Sequence, residues 1–164
     1  MSARTAFSEF TPRESEIFLV PLVTSAGNPI AAGTGNEIFR FRFGLTEVAS
    51  ELPQQITIAL QPQETDAIAE SWITHSTVES GKQGNVNFSK CAEYLFCSIS
   101  AHIQDEKSVH RLARSCYLEL LNAAESHGYP HLVRAWNYFP HINKGTGDEE
   151  RYRQFCLGRA EAFN

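Results

Sequence analysis

The chain has 164 residues, a net charge of −5 at neutral pH, and a composition that is 42% hydrophobic and 20% charged. That length suits one soluble domain burying about two-thirds of its unfolded surface. The acidic balance, with a pI near 5.7, argues against bulk electrostatic binding of nucleic acid, which needs a basic face, but leaves room for a local cationic pocket. No apolar run approaches the ~18 residues needed to span a bilayer. No apolar core follows the charge in Met1-Ser-Ala-Arg-Thr-Ala-Phe-Ser-Glu9, so no secretory leader is expected and the expected compartment is the cytoplasm.

Residues 1–16 are polar and lack periodicity, which predicts a flexible N-terminal arm before a single domain over 17–164. Ile17–Val23 is a short apolar run, expected at a sheet edge because Pro21 cannot donate to a ladder. Ser25-Ala-Gly-Asn-Pro29 reads as a turn and Ala31–Asn36 as a loop. The Gly33-Thr-Gly35 element lacks the spacing and the lysine of a phosphate loop. Glu37–Phe43 alternates, with Phe39, Phe41 and Phe43 on one face and Ile38, Arg40 and Arg42 on the solvent face. Further strands are expected over Gln55–Leu60, closed by Pro62, and over Ala69–Val78, Val86–Ser89 and Tyr94–His102. Ser80–Asn85 reads as punctuation between them.

The clearest helix starts near Lys107, with Asp105 as its expected N-cap. Val109, Leu112, Ala113, Cys116, Leu120 and Ala124 form its apolar stripe. Gly128 and Pro130 end it, and the helix dipole favours a protonated His127 in the last turn. His131–Phe139 alternates again, placing Leu132, Arg134, Trp136 and Tyr138 opposite Val133, Ala135, Asn137 and Phe139. After a Gly-rich loop, Asp148 is expected to cap a final helix whose first turn carries Glu149 and Glu150. The element order predicts an α+β domain, a mixed sheet with helices packed on one face.

The four cysteines, Cys91, Cys97, Cys116 and Cys156, match no zinc spacing and read as free thiols, the last three inside apolar patterns. His127 and His131 are separated by the helix-breaking Gly128 and Pro130, so neither a metal nor another cofactor is expected. No nucleophile–base arrangement is legible.

The chemistry concentrates in the tail. At 100° per residue, Tyr152, Phe155, Cys156, Arg159 and Phe163 share a sector of about 100°, the width of a core-facing stripe. Arg159 sits in its middle, and Arg151 and Arg153 flank it. A guanidinium does not neutralise by losing its proton, so on an apolar face it needs an internal carboxylate, a route to water or a bound anion. Arg134 poses the same question beside Trp136 and Tyr138. A planar carboxylate held bidentately would answer both.

Tyr94-Leu-Phe-Cys-Ser-Ile-Ser100, the helix after it, Arg134-Ala-Trp-Asn-Tyr-Phe-Pro-His-Ile-Asn143 and Glu150-Arg-Tyr-Arg-Gln-Phe-Cys-Leu-Gly-Arg159 together resemble the N-terminal half of chorismatases, a family that includes 3-hydroxybenzoate synthases and chorismate hydrolases. The resemblance covers roughly residues 84–164. It implies a fold built from two halves related to the RidA/YjgF domain, with a small dicarboxylate, chorismate, bound near their contact. On that basis Arg153 and Arg159 are the leading carboxylate contacts, with Tyr152 beside them and Arg134 a further candidate. Asn137, Tyr138 and Asn143 support the site. The general acid is expected from a C-terminal half without counterpart in this chain, because Glu149, Glu150 and Glu161 lie on the final helix itself, and no catalytic group is assigned here. Cys97 departs from a glycine common in relatives. The implied partners are the catalytic half or another subunit, or a second copy. Two alternatives remain open: a non-catalytic interaction or oligomerisation module, and a stand-alone RidA-like protein acting on imines or small carboxylates.

Overall fold

In the computed structural model, which describes residues 16–25, 35–43, 52–58, 68–103 and 108–164, the chain runs β1 (Glu16–Ser25), β2 (Asn36–Phe43), β3 (Gln55–Ile58), β4 (Ile68–Thr74), β5 (Glu79–Gln83), β6 (Val86–Lys90), β7 (Tyr94–His102), α1 (Val109–Ser126), β8 (His131–Tyr138) and α2 (Arg151–Ala162). The expectations for 1–15, for the turn at 26–29 and the loop at 31–34, for Leu60 with Pro62, and for Asp105 lie outside the described residues.

Strand β7 shows how the layers arise. Leu95, Cys97 and Ile99 point to one side, where they join Val109, Ala113, Cys116, Tyr117 and Leu120 of α1. Phe96 points to the other side, where it joins Phe39 and Phe41 of β2, its ring stacked 4.1 Å from that of Phe39. A strand covered on both faces reads as a nearly continuous apolar run. Strand β8 divides in the same way, as its alternation predicts: Ala135 and Phe139 pack on the helix side, Trp136 and Tyr138 on the aromatic side.

The α+β class is as expected, but the layering differs from a single mixed sheet. The helices cover a five-stranded sheet, β5-β6-β7-β1-β8, that is antiparallel throughout. The mixed sheet is a second one, β3-β2-β4, with β2 parallel to β3 and antiparallel to β4. It packs on the opposite face through the aromatic residues of β2.

Three local expectations are corrected. Strand β1 is central, paired with both β7 and β8. Pro21 is tolerated there because the register slips between Leu19 and Leu22, and a bulge needs no ladder donor at that point. Ile38 is buried along with Phe39 and Phe41, because the pairing of β2 with β4 slips between Glu37 and Phe39 and breaks the alternation. Residues 80–85 are mostly strand: β5 pairs with β6 from Glu79–Lys90 to Gln83–Val86 across a two-residue Gly84-Asn85 turn.

Helix α1 begins at Val109 behind Ser108, whose side chain makes no capping bond. At its other end Gly128 takes φ +83°. The Tyr129 amide then donates to Ala124 O and the Gly128 amide to Glu125 O, a Schellman closure.

Helix α2 corrects the wheel. Its buried residues are Arg151, Phe155, Gly158 and Ala162, the stripe one residue ahead of the predicted one. Tyr152 and Phe163 are exposed. Gly158 carries no apolar weight on a wheel, yet it governs the packing: a Cβ there would lie 2.1 Å from the His110 carbonyl oxygen of α1. Arg151 is only 2% exposed and donates from Nη1 to Pro140 O at 2.8 Å. The N-cap is Glu150, not Asp148, which lies in a 3-10 turn over Gly147–Glu149. The first helical amides are met by loop carbonyls, Arg151 N to Lys144 O and Tyr152 N to Ile142 O.

His127 also departs from expectation. Its pKa is lowered from the ordinary 6.5, first by burial and then by Lys90, against an opposing pull from Glu79. Its ring lies 4.4 Å from that of Phe88, and desolvation there outweighs the helix dipole. A lowered folded value means that, between it and 6.5, the unfolded chain holds a proton that the folded chain lacks. This contribution to stability is therefore complete above pH 6.5 and is lost as the pH falls from 6.5 through the lower folded value. Urea unfolding between pH 7 and 5 is expected to show a stability loss that His127→Phe reduces, and identical pH slopes would reject the assignment. Gly158→Ala gains ~1 kcal/mol of helix propensity but forces α1 and α2 apart. We expect net destabilisation of about 1–3 kcal/mol by urea unfolding, whereas a more stable variant would disprove the close approach.

Candidate functional site

Three elements bring polar groups together on the helix side of the sheet. Tyr117, on α1, is 2% exposed, and a phenol buried that deeply in an apolar stripe needs a hydrogen-bond partner. It finds one in Asn137 of β8, whose Oδ1 accepts from the Tyr117 hydroxyl at 2.7 Å. Burial pushes the Tyr117 pKa up, while Asn137 and Arg159 pull it down. Arg159 lies 5.7 Å from the Phe155 ring, and the Phe163 ring lies 5.6 Å from that of Tyr117.

Tyr152 stands one turn before Cys156 on the same helix face. Its pKa is raised, first by the neighbouring Cys156 side chain and then by burial, with Arg159 opposing. Tyr152, Cys156, Arg159 and Phe163 thus form a partly exposed stripe beside the buried one, spaced four, three and four residues apart.

Charge balance separates the arginines. Arg40 pairs with Glu37 at 2.6 Å, Arg114 with Glu161 at 3.6 Å, and Arg153 with Asp148 at 2.9 Å and Glu150 at 3.7 Å. Among the described residues, no carboxylate lies within 4.0 Å of Arg159 or Arg134. Arg159 is half-buried beside the Phe155 ring, while Arg134 is exposed, its guanidinium 4.6 Å from the Trp136 ring. A cation over an indole face gains modest attraction while its charge remains unneutralised.

The residues singled out from sequence therefore divide. Asn137 meets Tyr117 directly, while Tyr152 and Arg159 share one face of α2. Arg134 and Tyr138 lie on the opposite, aromatic face, where burial and Glu70 push the Tyr138 pKa up and Arg134 pulls it down. Arg153 is held by acidic residues of the turn before its helix. Asn143 is exposed in the loop between β8 and α2. Sequence reasoning missed Tyr117, although a tyrosine inside a stripe that includes Cys116 and Leu120 was a visible signal. It also placed Arg151 at the flank, while its guanidinium fastens the β8–α2 connection through Pro140.

The thiols split by environment. Burial pushes Cys97 up to about 12, and burial together with Glu119 takes Cys116 to about 12. Cys91 is buried on the aromatic side, and Cys156 is partly exposed. Among the described residues no group of His, Cys, Asp and Glu could hold a metal ion, and no helix is long and apolar enough to cross a membrane.

This arrangement of α1, β8 and α2 lies inside the segment that carries the family signature. The model described as chorismatase FkbO/Hyg5-like, N-terminal, matches residues 70–164, and the chain belongs to that family. It is 29% identical over 110 residues to a 3-hydroxybenzoate synthase of Streptomyces hygroscopicus, covering 66% of this chain and 32% of that protein. It is 33% identical over 103 residues to a chorismatase of Streptomyces rapamycinicus, covering 62% and 30%. A chorismatase crystal structure matches with a TM-score of 0.65 and 25% identity, over 89% of this chain and 45% of that one. The matched segment spans about a third of the length of these curated relatives.

The thiol environments give a direct check on the packing around the site. A maleimide reagent at pH 8, followed by peptide mass mapping, should label Cys156 well before Cys97 and Cys116. Equal labelling in the folded protein would contradict the burial described here.

Proposed function

We propose that this chain supplies the carboxylate-binding face of a chorismatase, with Arg159 as its principal anion contact and Tyr152 and Asn137 beside it. The observation that carries this reading is a half-buried guanidinium beside an aromatic ring, with no carboxylate partner among the described residues, in a chain of the chorismatase family. Chorismate is a dicarboxylate, and a guanidinium already surrounded by rings has the planar, donor-only shape that such a ligand takes bidentately. The complete reaction would cleave the enolpyruvyl ether, releasing pyruvate with a dihydroxycyclohexadienoate or a hydroxybenzoate. General acid protonation would be the chemical step.

The acid itself would come from another region of polypeptide or from a partner subunit. Glu161 is already engaged with His110 and Arg114, and Glu150 with Arg153. Exposed Tyr152, Leu157 and Phe163 on α2, with Leu132 and Val133 on the edge strand β8, give such a partner an apolar surface to cover. The relation of this unit to RidA/YjgF domains belongs to the same reading. Arg153 would have to exchange Asp148 and Glu150 for the ligand, and Arg134 would serve a different face.

Isothermal calorimetry with chorismate tests the assignment. Arg159→Ala is expected to weaken binding by at least about tenfold, the scale of one lost charge-assisted hydrogen bond. Arg153→Ala should weaken it less, because that charge is already met. Wild-type affinity in Arg159→Ala would remove this residue from the site.

A further inference from the structure

We infer that the Glu93 carboxylate is an acid-released clasp between the two sheets: it fastens the outgoing end of β4 to the β6–β7 turn and so keeps the aromatic face of β8 covered. The inference is independent of the anion reading of Arg159.

Two chain crossings meet at this point. After Thr74 the chain leaves the mixed sheet and enters β5 of the antiparallel one at Glu79, while residues 91–93 turn β6 back into β7. Glu93 stands in that turn and accepts hydrogen bonds from both sides of the crossing. The Ser76 hydroxyl lies 2.8 and 2.9 Å from its two oxygens, the Cys91 thiol donates at 3.2 Å, and the Thr74 hydroxyl donates at 3.5 Å, the longest of the set. The Thr74 oxygen in turn accepts from the Ser76 amide at 3.2 Å. Anchors stand on either side. Asn36, at the start of β2, donates from Nδ2 to Ser76 O at 3.1 Å, and the buried Tyr129 hydroxyl, beyond α1, donates to the Cys91 carbonyl oxygen.

Hydroxyls and a thiol surround an ionised carboxylate well, because it only accepts. Protonation turns one of its oxygens into a donor and removes the charge that strengthens the remaining bonds. The pKa of Glu93 is accordingly lowered from 4.5, first by Ser76 and next by Cys91, against burial. By linkage, the hold is complete above pH 4.5 and is lost as the pH falls from 4.5 through the lower folded value. Of the titratable groups in the adjoining segments, Lys90 pairs with Glu79 at 3.3 Å, Glu37 pairs with Arg40, His75 is exposed, and Tyr129 is tied to Cys91.

Two indoles would report release. Trp72 of β4 stacks 5.0 Å from Phe39 and meets Trp136 of β8 edge-on at 6.0 Å. Hydrogen exchange of the full chain, read as protection factors, is compared at about pH 7 and about pH 3.5. In the wild type, β4 amides are expected to lose about tenfold in protection at the lower pH, while β6, β7 and α1 keep theirs. Glu93→Gln should show the loosened β4 already at neutral pH, with red-shifted tryptophan emission and no further loss in acid. Ser76→Ala removes the nearest donor, leaves the carboxylate in place and should loosen β4 in the same way. It decides the matter if Glu93→Gln fails to fold. Wild-type protection of β4 at neutral pH in a folded variant overturns the inference. So does a loss spread evenly over both sheets, which would mark general destabilisation and no local clasp.

Discussion

At Gly158 the backbones of α1 and α2 come into direct contact, and the placement of the arginines depends on it. With hydrogen in place of a side chain, α2 settles against the His110 carbonyl, and Phe155 and Ala162 enter the helix-side core on either side of that point. This seating sets the rotation of α2 about its own axis. Rotation in turn decides which arginine is buried and which is presented: Arg151 goes down to the Pro140 carbonyl, and Arg159 comes to rest half-buried beside the Phe155 ring. One residue of helical phase separates a structural arginine from one available to a ligand.

That phase was the part of the site least legible in the sequence. Hydrophobic weighting found the aromatic residues of α2 and centred the stripe on them, but it gave no credit to a glycine that packs by being absent. It equally could not see that a loop carbonyl waits for Arg151. The face assignments of β7 and β8 were readable, because a period of two with large residues on both sides leaves little freedom. Strand β1 was misplaced to an edge by a sound rule about proline whose exception, a bulge, depends on pairing with strands far along the chain. Strand β5 was passed over because Glu79-Ser-Gly-Lys-Gln83 has almost no apolar content. Its place comes from the Gly84-Asn85 turn and from β6, not from its own composition.

The site has a comparable division between what chemistry announces and what packing supplies. Arginine among aromatic residues was conspicuous. Tyr117 was not conspicuous, since a tyrosine among leucines and alanines is ordinary core until its hydroxyl is traced to Asn137. Arg134 illustrates the reverse case: on the strand it looked equivalent to Arg159, yet the sheet lies between them. The antiparallel sheet thus sorts two similar guanidinium groups, one over Trp136 in the open and one beside Phe155 on the helix side.

The central place of β1 has a consequence for how the chain assembles. β5, β6 and β7 form a meander of neighbouring segments that can pair almost as soon as they exist. β1 must instead be captured between β7 and β8, with Glu16 meeting His102 and Ser25 meeting His131, partners more than eighty residues away. Closing such loops costs chain entropy before any contact offsets it. The strand that carries the bulged proline is therefore the keystone of the larger sheet: it joins β8, and with it Asn137, to the rest of the layer.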